Sequence, residues 1–225
     1  MTEGRTPGSV GRDEVARAAR ALYSGGPSFV RLIQRNRHLI APVERVLAAV
    51  PAGSSVLDIG CGGGLMLNCL AAIGRIREGV GIDASAHAVS VARAGASRLN
   101  AVSAIPRFEV RKAEHGLPEG AFDVVLLADV LHHVPVAGRE PLFALAASRV
   151  RPGGILLIKE MRPEPAWRAL MNQAHDLVVA RQLVRHLPEG ATDRWAGACA
   201  LDLAFRERIL MAWYSHEVCA YRCGR

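Results

Sequence analysis

Residues 56–64 read Val-Leu-Asp-Ile-Gly-Cys-Gly-Gly-Gly, a short apolar run that passes directly into a glycine-rich turn. Turn-forming residues precede it at 51–54, and the segment from 65 to 73 that follows has helical character. A short apolar run bounded by turn residues is typical of a strand buried on both faces. The stretch therefore predicts a strand, a tight turn and a helix, which is the unit from which doubly wound α/β sheets are built.

The rest of the chain alternates between the periods of strands and helices. Predicted strands share short lengths and apolar character, and lie at residues 56–59, 79–83, 108–110, 122–128 and 155–158. Predicted helices lie at residues 86–99, with Ser85 as N-cap, and around 141–150, before a turn at Arg151-Pro152-Gly153-Gly154. Strands separated by helices require crossover connections, which favours parallel pairing.

The fold class that follows is α/β: a doubly wound, mostly parallel, seven-stranded, Rossmann-like sheet. Two or three helices should precede it, and an antiparallel strand pair near residues 200–210 and 216–222 should close it. A chain of 225 residues, half of them apolar, can bury one substantial core but is short for two catalytic domains. We therefore expect one domain.

The expected organisation of this single domain, residues 1–225, has four parts. They are a disordered start at 1–12, N-terminal helices at 13–50, a ligand-binding core at 51–160, and a lid helix with closing strands at 161–225.

Lys and Arg number 28 against 21 Asp and Glu, which gives a net charge of +7. Such an excess attracts polyanions or an acidic carrier protein. The basic residues are spread along the chain without a run of five, so we do not expect a dedicated nucleic-acid surface.

Five cysteines form an odd set without C-x-x-C spacing, which indicates neither a disulfide framework nor a zinc site, and we expect no metal. The N-terminus lacks a secretory apolar stretch, and no apolar run approaches the roughly 20 residues that cross a bilayer. We expect a cytoplasmic protein without membrane insertion.

Two acids flank the glycine turn in the predicted fold. Asp58 stands two residues before the first glycine, in the pattern D-x-G-x-G-x-G, and Leu65 breaks the dinucleotide pattern G-x-G-x-x-G. A carboxylate there repels a diphosphate but can accept hydrogen bonds from an ammonium group. Asp83 ends the second predicted strand, where an acid accepts hydrogen bonds from ribose hydroxyls. Together they predict a site for a cationic nucleoside, of which S-adenosyl-L-methionine is the example.

Four motifs in order, VLDIGCGGG, GVGIDAS, FDVVLLADVLHHV and RPGG, resemble those of class I S-adenosylmethionine-dependent methyltransferases of the small-molecule type. The resemblance covers roughly residues 51–160. It implies S-adenosyl-L-methionine as cofactor, and it implies which residues bind each part of it. These are Asp58, Gly60, Gly62 and Gly64, with Cys61 in the same turn, for the methionine moiety, Asp83 for the ribose, Ala84 for the adenine, and Asp129 near the sulfonium.

The sequence departs from the family after the third strand, where an acid followed by Ala often holds the adenine amino group. Residues 111–115 read Arg-Lys-Ala-Glu-His, so Lys112 occupies the expected acidic position. Ala113 and Glu114, or a backbone carbonyl, must then serve the adenine.

Histidines are the candidates for the base that deprotonates an acceptor. His133 follows the fourth strand beside His132, and His175 lies in the predicted lid helix with Asp176; His216 is a further candidate. Adjacent helical residues point roughly 100° apart, so His132 and His133 cannot easily share one metal. For the paired histidines, one is expected to be packed or capping, and the resemblance implies a place in the cofactor pocket as the alternative to a base. For the lid, the alternative is a core-packing helix with a solvated polar face.

We expect methyl transfer to a small-molecule acceptor, such as a lipid, polyketide or other metabolite, free or on a carrier protein. Two alternatives stay open: an RNA or protein methyltransferase, which the charge favours, and a non-catalytic cofactor-binding scaffold. After the fourth strand the chain reads Ala128-Asp129-Val130-Leu131, which lacks the N-P-P-Y pattern of base and glutamine amino-group methylation.

Overall fold

The computed structural model describes residues 10–24, 29–100, 104–162, 186–211 and 214–224. The chain divides into two compact units, Met1–Pro118 and Glu119–Arg225. The prediction of a single domain stays a prediction.

The first unit carries helices on a parallel part of the sheet. Its described elements are α1 (Arg12–Leu22), α2 (Phe29–Asn36), a 3-10 helix (Arg37–Leu39), α3 (Val43–Ala49), β1 (Ser54–Ile59), α4 (Leu65–Ala72), β2 (Ile76–Asp83), α5 (Ala86–Ala96), β3 (Arg107–Val110) and a 3-10 helix (Ala113–His115). β2 pairs in parallel with β1 and with β3, with Leu57 opposite Val80 and Gly81 opposite Phe108. Parallel pairing brings the carboxyl ends of the three strands to one edge.

Local sequence explains where these elements begin and end. Every residue of β1 is buried, as the continuous apolar run predicts. The Ser85 hydroxyl accepts a hydrogen bond from the Ala88 amide at 3.2 Å, which confirms the predicted N-cap of α5. The helix ends at Ala96, earlier than the predicted residue 99. Three α-helices precede β1 within the described residues, and α1 and α3 pack against α4.

The second unit contains the rest of the sheet. Its described elements are β4 (Phe122–Ala128), a 3-10 helix (Leu131–His133), α6 (Val136–Ala147), β5 (Val150–Met161), α7 (Ala191–Ala198), β6 (Leu201–Met211) and β7 (Tyr214–Cys223). β4 pairs in parallel with β5, and β7 pairs antiparallel with both β5 and β6. The antiparallel closing pair is therefore confirmed.

Two predictions in this unit were wrong. The segment Arg151–Gly154 is not a turn ahead of a strand at 155–158, because β5 already begins at Val150. Its register with β4 jumps from Phe122 opposite Val150 to Val124 opposite Ile155, so the extra residues bulge out of the strand, with Gly153 at φ 75°.

The helix placed around 141–150 runs instead over Val136–Ala147, with Pro141 inside it. The helix begins at Val136, five residues before this proline. The predicted lid helix lies outside the described residues, and α7 was not predicted.

The doubly wound, mostly parallel seven-stranded sheet predicted from the sequence is confirmed. Within the described ranges, no helix has the length and apolar character that crossing a bilayer requires.

Candidate cofactor-binding site

The glycine turn between β1 and α4 has backbone angles that residues other than glycine rarely adopt. Gly60, Gly62 and Gly64 have φ values of 73°, 53° and 74°, in the left-handed region. The amides of Gly60 and Cys61 donate to the Ile82 carbonyl at 2.8 and 3.0 Å, which holds the turn over the end of β2. Apart from Cys61, whose side chain is buried, the turn therefore presents only backbone at the carboxyl edge of the strands.

Asp83 binds this turn directly. Its Oδ2 accepts a hydrogen bond from the Gly62 amide and its Oδ1 one from the Ser85 amide, both at 2.8 Å. The residue is half-buried, so its carboxylate is fixed by backbone donors yet reachable from solvent. Each oxygen retains a lone pair for a further donor, such as a ribose hydroxyl.

Asp58 lies at the end of β1 and is only 1% exposed. Its Oδ2 has no hydrogen-bond partner among the described residues. Burial, and then the like charge of Asp83, raise the pKa of Asp58 from 3.8 to about 7, and the Arg37 charge opposes that rise. The two acids thus act on one another, as the predicted site requires, and Asp58 offers an oxygen that a cationic donor would satisfy.

Cys61 shares this environment. Burial raises the pKa of its thiol, and the neighbouring charges of Asp58 and Asp83 add to the effect. The thiol is therefore held neutral, so Cys61 contributes backbone and packing to the turn.

The residues predicted to serve the adenine follow β2 and β3. The Arg111 amide donates to the Asp83 carbonyl at 2.9 Å, which ties the end of β3 to the end of β2. Ala84 is exposed and Ala113 half-buried, the latter in the 3-10 helix after β3. Glu114 is exposed, with an oxygen 3.5 Å from the Lys112 ammonium. Its carboxylate already has a cationic neighbour, so the backbone there is the better-placed acceptor for an amino group.

Sequence reasoning missed the residues that support the turn from the N-terminal helices. Tyr23, at the end of α1, donates a hydrogen bond from its hydroxyl to the Gly63 carbonyl at 2.8 Å, and Asn68 donates to the same hydroxyl at 3.0 Å. Burial keeps the pKa of Tyr23 well above its ordinary value of 10.0, so the hydroxyl remains a donor. No pattern in the sequence joins a tyrosine to a glycine 40 residues away.

In the second unit, Asp129 directly follows β4 and has φ 59°, a conformation uncommon for residues other than glycine. Lys159, which is 1% exposed on β5, donates to both Asp129 oxygens at 2.6 Å. The ion pair compensates a buried carboxylate and fixes its orientation.

The two neighbouring histidines have different surroundings. His132 is buried, with Nδ1 2.5 Å from Oε2 of Glu160, whose Oε1 accepts hydrogen bonds from the Val130 and Leu131 amides at 3.1 and 2.8 Å. His133 is exposed, and its ring centroid lies 4.1 Å from that of His132. His132 is therefore a structural histidine, and His133 the accessible one.

The other candidate bases are His175, Asp176 and His216. His175 and Asp176 lie outside the described residues, and His216 is 2% exposed in β7.

Asp129, His132 and Glu160 place ligand-type atoms within 4.8 Å of one another. The Lys159 ammonium beside Asp129 and the backbone amides on Glu160 already occupy these oxygens. A metal cation there would be repelled by the ammonium. The absence of a metal stays a prediction.

Asp83 holds the glycine turn in place, and the buried Asp58 has an oxygen without a hydrogen-bond donor. These features define a class of protein that holds a cationic nucleoside at the edge of an α/β sheet. Residues 31–199 match a family model described as a methyltransferase domain. The chain therefore belongs to the methyltransferase domain family, as the resemblance predicts, and S-adenosyl-L-methionine is the cofactor of that family.

Relatives of assigned activity are about a third identical to this chain over the aligned residues. The ubiquinone biosynthesis O-methyltransferase of Xanthomonas axonopodis pv. citri is 34% identical over 162 residues, which cover 70% of this chain and 63% of the relative. The enzyme of the same name from Methylococcus capsulatus is 30% identical over 171 residues, covering 70% and 67%. The chain thus spans 63% of the length of the Xanthomonas enzyme.

Solved structures confirm the fold. Magnesium protoporphyrin IX methyltransferase of Synechocystis, with bound S-adenosylhomocysteine, superposes with a TM-score of 0.68 at 22% identity, covering 95% of this chain and 97% of that one. The N-methyltransferase NodS of Bradyrhizobium japonicum gives 0.62 at 18% identity, covering 86% and 98%.

Proposed function

We propose that this protein transfers the methyl group of S-adenosyl-L-methionine to a small-molecule acceptor, such as a lipid, polyketide or other metabolite, free or on an acidic carrier protein. The observation that carries the proposal is the buried Asp58 oxygen without a donor, next to a glycine turn that Asp83 holds in place. A cation with hydrogen-bond donors satisfies that oxygen, whereas a phosphate would be repelled by both carboxylates.

The roles of the residues follow from their chemistry. Asp58 would accept hydrogen bonds from the ammonium group, and Asp83 from the ribose hydroxyls. The backbone from Gly60 to Gly64 would border the methionine moiety. Ala84, Ala113 and Glu114 would border the adenine, and Asp129 the sulfonium end.

When bound, S-adenosylmethionine supplies a methyl carbon made electrophilic by a cationic sulfur. The protein then has to hold the acceptor in line with that carbon and exclude water. Orientation of this kind lowers a barrier by roughly 7 to 11 kcal/mol. None of these contributions requires a metal ion.

We propose a hydroxyl as the acceptor group, because two relatives of this chain are named as O-methyltransferases. A hydroxyl of high pKa needs a base, and His133 is suited to take its proton because it is exposed and its ring lies beside that of the anchored His132. His175 is the second candidate from the sequence. The base contributes about a hundredfold or more to the rate.

Two measurements test the proposal. Isothermal titration with S-adenosylmethionine should show binding, and no binding would leave only a scaffold. A methyl-labelled cofactor should then label compounds in small-molecule pools that include phenols, whereas label found only in RNA or protein would refute the proposed acceptor class.

The base is tested on the labelled substrate. His133→Ala should lower kcat by about a hundredfold, with recovery at high pH where the acceptor ionises unaided. His87→Ala, at an exposed histidine of α5, is the control and should leave kcat unchanged. An unchanged kcat in His133→Ala would exclude this residue as the base.

A further inference from the structure

The second helix, α2, buries a polar residue and exposes its apolar side. Gln34 is 6% exposed and lies against Gly63, where an added Cβ would come within 2.7 Å of the glutamine Cγ. Phe29 and Leu32 of the same helix are 61% and 57% exposed. A helix on the surface of a globular protein normally packs its apolar side against the core. The orientation of α2 is therefore the reverse of the usual one.

The exposed apolar side continues past the end of α2. Successive residues of an α-helix lie about 100° apart, which places Leu32 within roughly 60° of Phe29 around the helix. The 3-10 helix Arg37–Leu39 follows directly, and there Leu39 is 53% exposed and Ile40, the next residue, 39%. We call Phe29, Leu32, Leu39 and Ile40 the apolar face. Exposed apolar side chains gathered in this way mark a surface of interaction.

The part of the chain that carries the apolar face is strongly basic. Residues 15–43 contain five arginines and neither Asp nor Glu, so they account for five of the net charge of +7. Arg31 and Arg35 lie on α2 about 100° and 60° from Leu32, on one flank of the apolar side. Arg35 is exposed and Arg31 half-buried. The partner that complements this surface therefore combines negative charge with an apolar layer.

An anionic lipid bilayer has both properties, because negatively charged headgroups overlie hydrocarbon. A nucleic acid supplies the negative charge but offers its phosphates, not an apolar layer, to a surface of this kind. Charge complementarity together with exposed Phe and Leu therefore favours the bilayer.

We propose that the apolar face binds the surface of an anionic bilayer, with Phe29 and Leu32 below the headgroups and Arg35 among them. The protein lies on the bilayer and does not span it there, since α2 has only eight residues. The inference goes beyond methyl transfer, and it requires no bound cofactor.

Co-sedimentation of the full chain with vesicles tests the proposal. The protein should bind vesicles of phosphatidylcholine mixed with phosphatidylglycerol about tenfold or more tightly than vesicles of phosphatidylcholine alone, and added salt should weaken that binding. Phe29→Ser combined with Leu32→Ser should lower the affinity for the anionic vesicles by about 10- to 100-fold, because two apolar side chains no longer leave water. Arg35→Glu should lower it by about tenfold.

Matched controls lie in the second unit. Leu210→Ser replaces a leucine that is 70% exposed on β6, and Arg194→Glu reverses the charge of an exposed arginine on α7. Both should bind anionic vesicles as wild type does. Thermal unfolding checks the fold of each variant, and Leu32→Gln alone, with a better helix former, repeats the comparison if the double variant does not fold.

A wild type that binds neither kind of vesicle would overturn the proposal, and so would unchanged binding in the double Ser variant. Sedimentation equilibrium distinguishes a competing occupant: a dimer that the double Ser variant dissociates, without vesicle binding, would assign the apolar face to a second copy of the chain. Titration with S-adenosylmethionine in the absence of vesicles tests the proposed function separately, so failure of one proposal leaves the other standing.

Discussion

Asp58→Asn replaces a buried carboxyl with a neutral amide of nearly the same size. Burial, Asp83 and the opposing charge of Arg37 together place the pKa of Asp58 at about 7, against 3.8 for a free carboxyl. That difference corresponds to about 4 kcal/mol between the ionised and neutral forms. Wild-type stability should therefore fall as pH rises between these two pKa values, and the Asn variant should lack this dependence.

The sign follows from proton linkage. The folded protein holds this proton more tightly than the unfolded chain does, so the contribution to stability falls as pH rises from about 4 to about 7. Between pH 5 and pH 8, the stability of Asp58→Asn relative to wild type should rise by about 2 to 3 kcal/mol. Any cost of burying the amide is the same at both pH values and cancels.

Denaturant unfolding at pH 5 and pH 8 measures this difference. Asp202→Asn, at an exposed acid, is the control and should give a difference independent of pH. If Asp58→Asn and wild type changed in parallel over this range, the carboxyl would not be held protonated by burial, and the reasoning would be refuted.

The protonation state of Asp58 should also determine the affinity for the cofactor. Below pH 7, Asp58 must lose its proton before an ammonium group can bind, so wild-type affinity for S-adenosylmethionine should fall by roughly tenfold per pH unit. Asp58→Asn should bind more weakly at pH 8, with little further change on acidification. Titration in buffers of different ionisation enthalpy would register the released proton.

Three other substitutions test the supports of the two units. Gly64→Ala should lower the free energy of unfolding by about 1 to 3 kcal/mol more than Gly53→Ala, measured by thermal unfolding. Both glycines have φ near +75°, but only an added Cβ at position 64 meets neighbouring carbon atoms, the nearest at 2.7 Å. Equal losses of stability would mean that the turn relaxes. Tyr23→Phe should destabilise by about 1 to 2 kcal/mol in denaturant unfolding, since a buried carbonyl loses its donor, and a neutral result would imply a replacement donor. Lys159→Met should lower the free energy of unfolding by about 3 to 5 kcal/mol, because it removes the ammonium that pairs with the Asp129 carboxylate. Adding Asp129→Asn should restore most of that stability. Simple additivity of the two losses would contradict the pairing.

The sheet and the acid pair could be predicted because both follow from local order in the chain. Apolar runs and turn residues place strands within a few residues, and parallel strands bring their carboxyl ends to one edge. Asp58 and Asp83 therefore lie near enough for the charge of one to raise the pKa of the other. The Ser85 cap was equally local.

The supporting contacts could not be predicted because they join residues far apart in sequence. Lys159, on β5, pairs with Asp129, which follows β4, and a helix lies between these two strands in the sequence. Tyr23, after α1, donates to the glycine turn 40 residues later. The bulge at Arg151–Gly154 was misplaced for another reason: Pro and Gly mark a turn and a strand irregularity alike, and only the register with β4 distinguishes them.

The hydrogen bond from Tyr23 to the glycine turn connects α1 to the candidate cofactor site. Tyr23 directly follows α1 and donates to the Gly63 carbonyl, so unwinding of α1 from Arg12 should disturb the glycine turn. A tag or truncation near Arg12 should therefore weaken cofactor binding. Conversely, an occupied site should slow amide hydrogen exchange in α1, well away from the ligand itself.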